Sequence, residues 1–192
     1  MNILERKLFH MLSAIFVIPT LFFPDPWRKI LFIFLFLVVL TVDTLRMNNR
    51  NFRHIFMLFF KDMLKKEEFR FYSGATFLFF SLMILNLFFS RQVAAFSLLL
   101  LTVSDPLASI MGIYMKPRIR IMGNKTLWGL IGFLVGGIIV AMFFNNLSWK
   151  SKIIAVVTGA VVELFATGID DNFLIPLSSA IALQLTKGGE AI

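Results

Sequence analysis

Long apolar runs separated by short polar segments set the pattern of this chain. They fall at Leu8 to Phe23, Ile30 to Val42, Ala75 to Phe89, Val93 to Tyr114, Leu127 to Phe144, Ile153 to Thr167 and Phe173 to Leu185. Runs approaching 20 apolar residues are read as bilayer-crossing helices. The pattern therefore predicts an all-α fold: a polytopic transmembrane helical bundle of about seven spans, forming one domain over residues 1–192. The last run is short: at 1.5 Å per residue it rises only about 20 Å against a hydrocarbon core of about 30 Å, so it re-enters or is extended by its flanks. Between the second and third runs, His54 to Glu68 is apolar at its start and charged at its end. Such a segment predicts an interfacial helix in the headgroup region; its basic residues also read as a plain orienting loop.

The fourth run carries a carboxylate followed by proline, Asp105-Pro106. A carboxylate at bilayer depth costs roughly 2.5 to 3.5 kcal/mol, so it needs a partner, a wet cavity or a function. Proline donates no backbone hydrogen bond and disfavours the α region for the residue before it. The expectation is a broken fourth helix, with Asp105 as N-cap and Pro106 opening a second half-helix. On that half-helix Asp105, Ser109 and Gly112 share one face, acidic at its start and bare at its end.

Composition agrees with a membrane class. The chain is 58% hydrophobic with a mean hydropathy of +0.84, more apolar surface than a soluble domain of this size hides. Its net charge of +8 lies in short segments between the runs, where basic residues act as topology signals instead of a nucleic-acid footprint. Their distribution places the N-terminus in the cytoplasm. The absence of cysteine excludes disulfides and thiolate ligands. Met1 to Phe23 lacks a small-residue cleavage site and carries Glu5 before its basic pair, unlike a signal peptide.

Candidate chemistry gathers at the cytoplasmic ends of the runs. Thr126 is placed to cap the fifth span, which brings free amides, the positive helix end and the Lys125 ammonium to one point suited to phosphate, with Gly123 just before it. Gly129, Gly132 and Gly136 follow at helical spacing and predict close packing against the Asp105 helix. Glu163 sits inside the sixth span, and Gly168 is expected to end it. Asp170, Asp171 and Asn172 then read either as a turn and cap or, with Asp105, as hard oxygen ligands for Mg²⁺. Arg6, Lys7 and His10 line one face at the mouth of the first span, a basic cluster suited to a headgroup.

Taken together, Arg6-Lys7-x-x-His10, Ser73-Gly74-Ala75-Thr76, Ser104-Asp105-Pro106-x-Ala108-Ser109-x-x-Gly112, Gly123-x-Lys125-Thr126-x-x-Gly129 and Glu163 followed by Asp170-Asp171-Asn172-x-x-x-Pro176 resemble the CTP-dependent lipid kinases. That group comprises dolichol, phytol and CTP-using diacylglycerol kinases and is distantly similar to the CDP-diacylglycerol synthases. The resemblance implies transfer of the CTP γ-phosphate to a membrane lipid alcohol of diacylglycerol, polyprenol or phytol type at the cytoplasmic face. It also implies a multi-pass protein of the cell membrane in a prokaryote or the endoplasmic reticulum in a eukaryote. On this reading Asp105 and Asp171 hold Mg²⁺; Ser109, Gly112, Gly123, Lys125, Thr126, Gly129 and Asn172 hold the nucleotide; Glu163 or Asp170 orients or deprotonates the acceptor hydroxyl. Two other readings stay open: a cytidylyltransferase that releases pyrophosphate from CTP and a lipid phosphate, and a small transporter with broken helices. The oligomeric state is left open.

Overall fold

The computed structural model describes residues 7, 10–61, 64, 67–69, 71–165 and 169–188. Among them the chain is helical apart from one small hairpin. In order come α1 (His10–Phe22), α2 (Trp27–Asn48), α3 (Arg50–Phe60), α4 (Gly74–Phe88), α5 (Arg91–Tyr114), strands β1 (Arg120–Met122) and β2 (Lys125–Thr126), α6 (Leu127–Met142), α7 (Trp149–Phe165) and α8 (Asp171–Gly188). Each predicted apolar run becomes a helix. Two helices, α2 and α5, are long and apolar enough to cross a membrane, while α1, α4 and α6 are shorter apolar helices.

At the centre of the bundle, α5 presents Val93, Phe96, Leu100 and Leu101 to Leu82 and Leu85 of α4, Phe133 of α6 and Ile175 and Leu183 of α8. The closest helix pairs are α7 with α8 and α5 with α6. Glycine makes the second of these possible. A Cβ on Gly132 would stand 2.8 Å from the Leu107 carbonyl, and one on Gly136 2.8 Å from the Ser104 Cα. With only hydrogen there, the two backbones approach closely, as small-residue faces allow. The outer faces keep large apolar side chains such as Phe34, Leu37, Ile138, Ile139, Val157 and Val161 exposed.

The expected break in the fourth helix is not found. Asp105 has φ −65° and ψ −43°, ordinary helical values, and α5 runs unbroken for 24 residues. A π-helical turn over Leu100–Ser104 precedes Pro106 and absorbs the missing proline donor by widening the hydrogen-bond ladder. The preference of a pre-proline residue for extended backbone is thus overridden by packing on both sides. Nor is His54 to Glu68 one helix. Residues Arg50–Phe60 form α3, started by Asn49, whose Oδ1 accepts from the amides of Asn51 (2.9 Å) and Phe52 (3.1 Å); a separate 3₁₀ turn covers Glu67–Phe69. None of α3 is fully buried, as an amphipathic surface helix requires.

Candidate functional site

Helices α5, α6, α7 and α8, the hairpin and Lys7 converge on one polar cavity of about 260 Å³. From α5 come Asp105, Ala108, Ser109, Gly112 and Ile113, the acidic-to-bare face set by four- and three-residue spacing. The hairpin turn and α6 add Asn124, Lys125, Thr126 and Gly129, and α7 and α8 add Glu163 and Asp171. Thr126 has extended backbone and its Oγ1 accepts from the Gly129 amide at 3.1 Å, a regular N-cap that starts α6. The next contact explains Gly112: a Cβ there would stand 2.9 Å from that same Oγ1. The amide end of α6 therefore lies directly against the face of α5 that carries the carboxylate. The Leu127 amide is held by the Ile119 carbonyl (2.9 Å) and the Gly129 amide by Thr126 Oγ1, so what the start of α6 offers an anion is chiefly its positive dipole end.

Four charged groups of this cavity are paired with one another. The Lys7 ammonium donates to Asp105 Oδ2, with His10 Nε2 3.9 Å from the same oxygen. Lys125 donates to Glu163 Oε1. Asp105 is 3% exposed and Glu163 5%, so removing either lysine leaves a carboxylate without that partner in a nearly dry place. A phosphorylated ligand with its cation can replace both pairings at once, phosphate for the lysines and metal for the carboxylates.

Beside this cavity lies a larger, mostly apolar groove of about 570 Å³, walled by α1, α2, α3 and α4. Leu12, Phe16, Val39, Phe56, Phe60 and Leu78 supply its sides. Lys7, Asp105 and Asp171 line both spaces. The polar cavity and the apolar groove thus meet at one carboxylate-bearing wall.

A buried network fixes the groove's polar end, joining Ser73 and Thr76 of the Ser73-Gly74-Ala75-Thr76 motif to Asp43 and Arg46, which the sequence pattern does not single out. Asp43 on α2 accepts at Oδ2 from the Ser73 amide (2.7 Å), the Ser73 hydroxyl (2.7 Å) and the Thr76 hydroxyl (2.6 Å), and at Oδ1 from Arg46 Nε (2.9 Å). The Arg46 guanidinium continues to the carbonyls of Glu68 (2.8 Å) and Phe71 (2.7 Å). This explains Ser73 and Thr76: they tie the start of α4 to α2. The signal that could have found it is an acid and a base three residues apart inside an apolar helix, rare enough in a span to mark a role.

The remaining predicted site residues divide. Gly123 sits at the hairpin tip with φ +53°; a Cβ there would meet nothing within 4 Å, and the residue is outside the lining of the cavity. Asp170 Oδ1 accepts from the Asn172 amide at 2.9 Å, and its carbonyl accepts from Phe173 (3.1 Å) and Leu174 (3.2 Å), so it caps α8 and lines neither space. Asn172 Nδ2 donates to the Gly74 carbonyl at 3.2 Å and lines the groove, not the polar cavity. Lys7 and His10 line the groove, while Arg6 and Gly168 lie outside the described residues.

No group of three metal-ligating side chains occurs among the described residues. The donor set nonetheless suits Mg²⁺, which commonly takes one or two carboxylates, keeps several waters and fills its sphere with phosphate oxygens. Asp105 and Asp171 line that one cavity.

No protein-family model matches the chain, and no solved structure matches it. Several curated proteins do. An uncharacterised protein of Rickettsia prowazekii is 27% identical over 191 residues, covering 94% of this chain and 93% of its own. CTP-dependent diacylglycerol kinase 1 of Eremothecium gossypii is 29% identical, covering 93% of this chain and 65% of its own length. The Saccharomyces cerevisiae protein of the same name is 26% identical, with 94% and 72% covered.

Proposed function

We propose, from the chain's kinship with the CTP-dependent lipid kinases, that it transfers the γ-phosphate of CTP to a lipid alcohol and releases CDP. The observation that carries this is the shared wall: a polar cavity with a helix amide end opens beside an apolar groove, and both touch Asp105 and Asp171. Phosphoryl transfer asks mainly for positioning and charge neutralisation. The Thr126-capped end of α6 and Lys125 would hold the phosphates, and Lys7, released from Asp105, would face the transferred group. Glu163 orients Lys125. Asp105 and Asp171 would hold Mg²⁺, which when bound neutralises phosphate charge. The acceptor oxygen would bond to the γ-phosphorus as the bond from that phosphorus to the β,γ-bridging oxygen breaks, CDP leaving with that oxygen and the hydroxyl proton passing to an oxygen of the transferred phosphoryl group.

The same proposal makes the protein a multi-pass membrane enzyme, with the site at the cytoplasmic face. Exposed Phe, Ile and Val side chains on the outer helix faces suit lipid, and an acceptor can enter the groove beside α3 without leaving the bilayer. Purified protein with CTP, Mg²⁺ and a panel of diacylglycerol, polyprenol and phytol acceptors is expected to give CDP and one lipid phosphate. Pyrophosphate instead of CDP would convert the assignment to cytidylyl transfer. CTP-independent uptake of a solute into liposomes would turn it to transport.

A further inference from the structure

We infer that the hairpin between α5 and α6 rests on the anionic headgroup layer of the protein's own bilayer, gripping lipid phosphates with Lys116, Arg118 and Arg120. The inference rests on the membrane part of the proposed function and does not need the kinase part.

The segment from Met115 to Thr126 carries the cations Lys116, Arg118, Arg120 and Lys125 and no acidic residue. Lys125 is taken by Glu163, whereas no ion pair among the described residues engages the other three. Arg118 donates through Nη2 to the Ile113 carbonyl at 2.5 Å, which holds the strand to the end of α5 and leaves the guanidinium further N–H groups to offer. Every residue from Tyr114 to Asn124 is exposed. Interleaved with the cations are Met115, Ile119, Ile121 and Met122, each 40 to 49% exposed. The core claims none of them, and water is a poor partner for so much apolar surface.

Depth fixes what this surface meets. Helix α5 has 24 residues and rises about 36 Å, more than a hydrocarbon core of about 30 Å, so its Tyr114 end reaches the headgroup layer. Two aromatic side chains with polar tips stand at this level. Tyr114 is exposed, and Trp128 donates through Nε1 to the Pro117 carbonyl at 3.2 Å, tying the base of the hairpin to the first turn of α6. Tyrosine and tryptophan concentrate at this boundary in spanning proteins. A chain that leaves α5 there and returns to α6 through a short hairpin stays near the surface. Its apolar side chains then dip toward the acyl chains, while the lysine and arginine stems lie along them and carry their charges to the phosphates. Anionic lipid is the complement of three cations with no carboxylate among them. The return strand is Lys125-Thr126, so a hairpin held to the leaflet also holds the ammonium and the cap at the polar cavity.

The chain has no cysteine, so a single one can be introduced as a label site. Ile121→Cys carrying an NBD fluorophore, with Leu37→Cys on an exposed position of α2 as control, is placed in nanodiscs of phosphatidylcholine or of an equal mixture with phosphatidylglycerol. Doxyl-labelled lipid reads contact with the bilayer. The Leu37 probe is expected to be quenched equally in both lipids. The Ile121 probe is expected to be quenched severalfold more in the anionic discs and to emit further to the blue, the difference falling as salt is raised. Combining Lys116→Gln, Arg118→Gln and Arg120→Gln should cut the bound fraction's advantage in anionic discs by about tenfold or more, each cation near such a surface being worth roughly fivefold. The salt comparison keeps all three cations, so it decides the matter if the triple variant fails to fold. Equal Ile121 quenching in the two lipids overturns the inference. So does a probe that answers to CTP in pure phosphatidylcholine and not to phosphatidylglycerol, which hands the cations to the nucleotide. An unquenched Leu37 probe defeats the membrane reading and the inference together, whereas absence of CDP formation in the same discs defeats the kinase reading alone.

Discussion

Helix α7 carries a buried charge near each end, and the two ends differ in what the charge is paired with. Near the start, Lys152 is 2% exposed; its ammonium donates to the carbonyls of Ala141 (3.0 Å) and Phe144 (3.1 Å) and lies 3.9 Å from the centre of the Trp149 ring. Near the finish, about 16 Å along the axis, Glu163 pairs with Lys125 at the edge of a cavity. The carbonyls around Lys152 are fixed backbone acceptors at the end of α6, and the cavities described above do not reach them. Lys125 is a flexible cation next to open space, so an incoming phosphate can take it over. A buried charge satisfied by backbone closes a helix end; one satisfied by an exchangeable side chain beside a cavity is poised to bind. Asp105 with Lys7 is of the second kind; Asp43 stands between the two, lining the groove yet held by the Ser73 amide and by the side chains of Arg46, Ser73 and Thr76.

The sharpest way to break this comparison is Asp105→Asn. The amide keeps the volume and an acceptor for Lys7, so the fold is expected to survive while CDP formation falls roughly a thousandfold, the upper range for losing one electrostatic group in a site. Release of CDP and thermal unfolding, measured on the same preparation, separate the two effects. Lys125→Met should lower kcat/KM for CTP about a hundredfold. Adding Glu163→Gln to it should recover any lost thermal stability without recovering turnover, because the second change removes a stranded carboxylate but restores no cation. If the double variant regained activity, Lys125 would be serving Glu163 and not the nucleotide.

At the other end the expectation reverses. Lys152→Met removes two charge-assisted hydrogen bonds and the contact with Trp149, while the Ala141 and Phe144 carbonyls keep the backbone donors Phe144 N–H and Leu147 N–H, so unfolding stability should drop by about 2 kcal/mol. The KM for CTP should stay within about twofold of wild type. A nucleotide defect larger than the stability defect would erase the distinction between the two ends.

How far the sequence revealed this arrangement depends on the range of the interaction involved. Thr126 was legible because a cap is local: a hydroxyl residue before an apolar run, with Gly129 three residues on. The face of Asp105, Ser109 and Gly112 was legible because helical spacing survives a π-helical turn upstream of all three. The turn itself was not, since a proline in a span reads equally as a break or as a widened ladder until neighbouring helices are known. Asp170 and Asp171 are adjacent and chemically alike; only the direction in which α8 starts makes one a cap and leaves the other on the shared wall. Glu68 was hidden most completely. It stands at the charged end of a segment that reads as an interfacial helix or an orienting loop, and Arg46, 22 residues earlier, reaches across to its carbonyl.

The smallest expected effect concerns a residue that the sequence pattern grouped with the phosphate site. Gly123 has φ +53°, in the left-handed region that costs a residue with a Cβ about 1 to 2 kcal/mol, asparagine least. Nothing lies within 4 Å of the position a Cβ would take, so space is no obstacle and backbone conformation alone decides. Gly123→Ala should therefore lower stability by about 1 kcal/mol, and Gly123→Asn by less, with the KM for CTP unchanged in both. A phosphate contact through the Gly123 amide predicts a different ranking: any side chain crowds the ligand, so Asn would raise the KM at least as much as Ala. Stability and KM measured on the two variants thus separate a hairpin turn that merely presents Lys125 from a loop that grips the nucleotide itself.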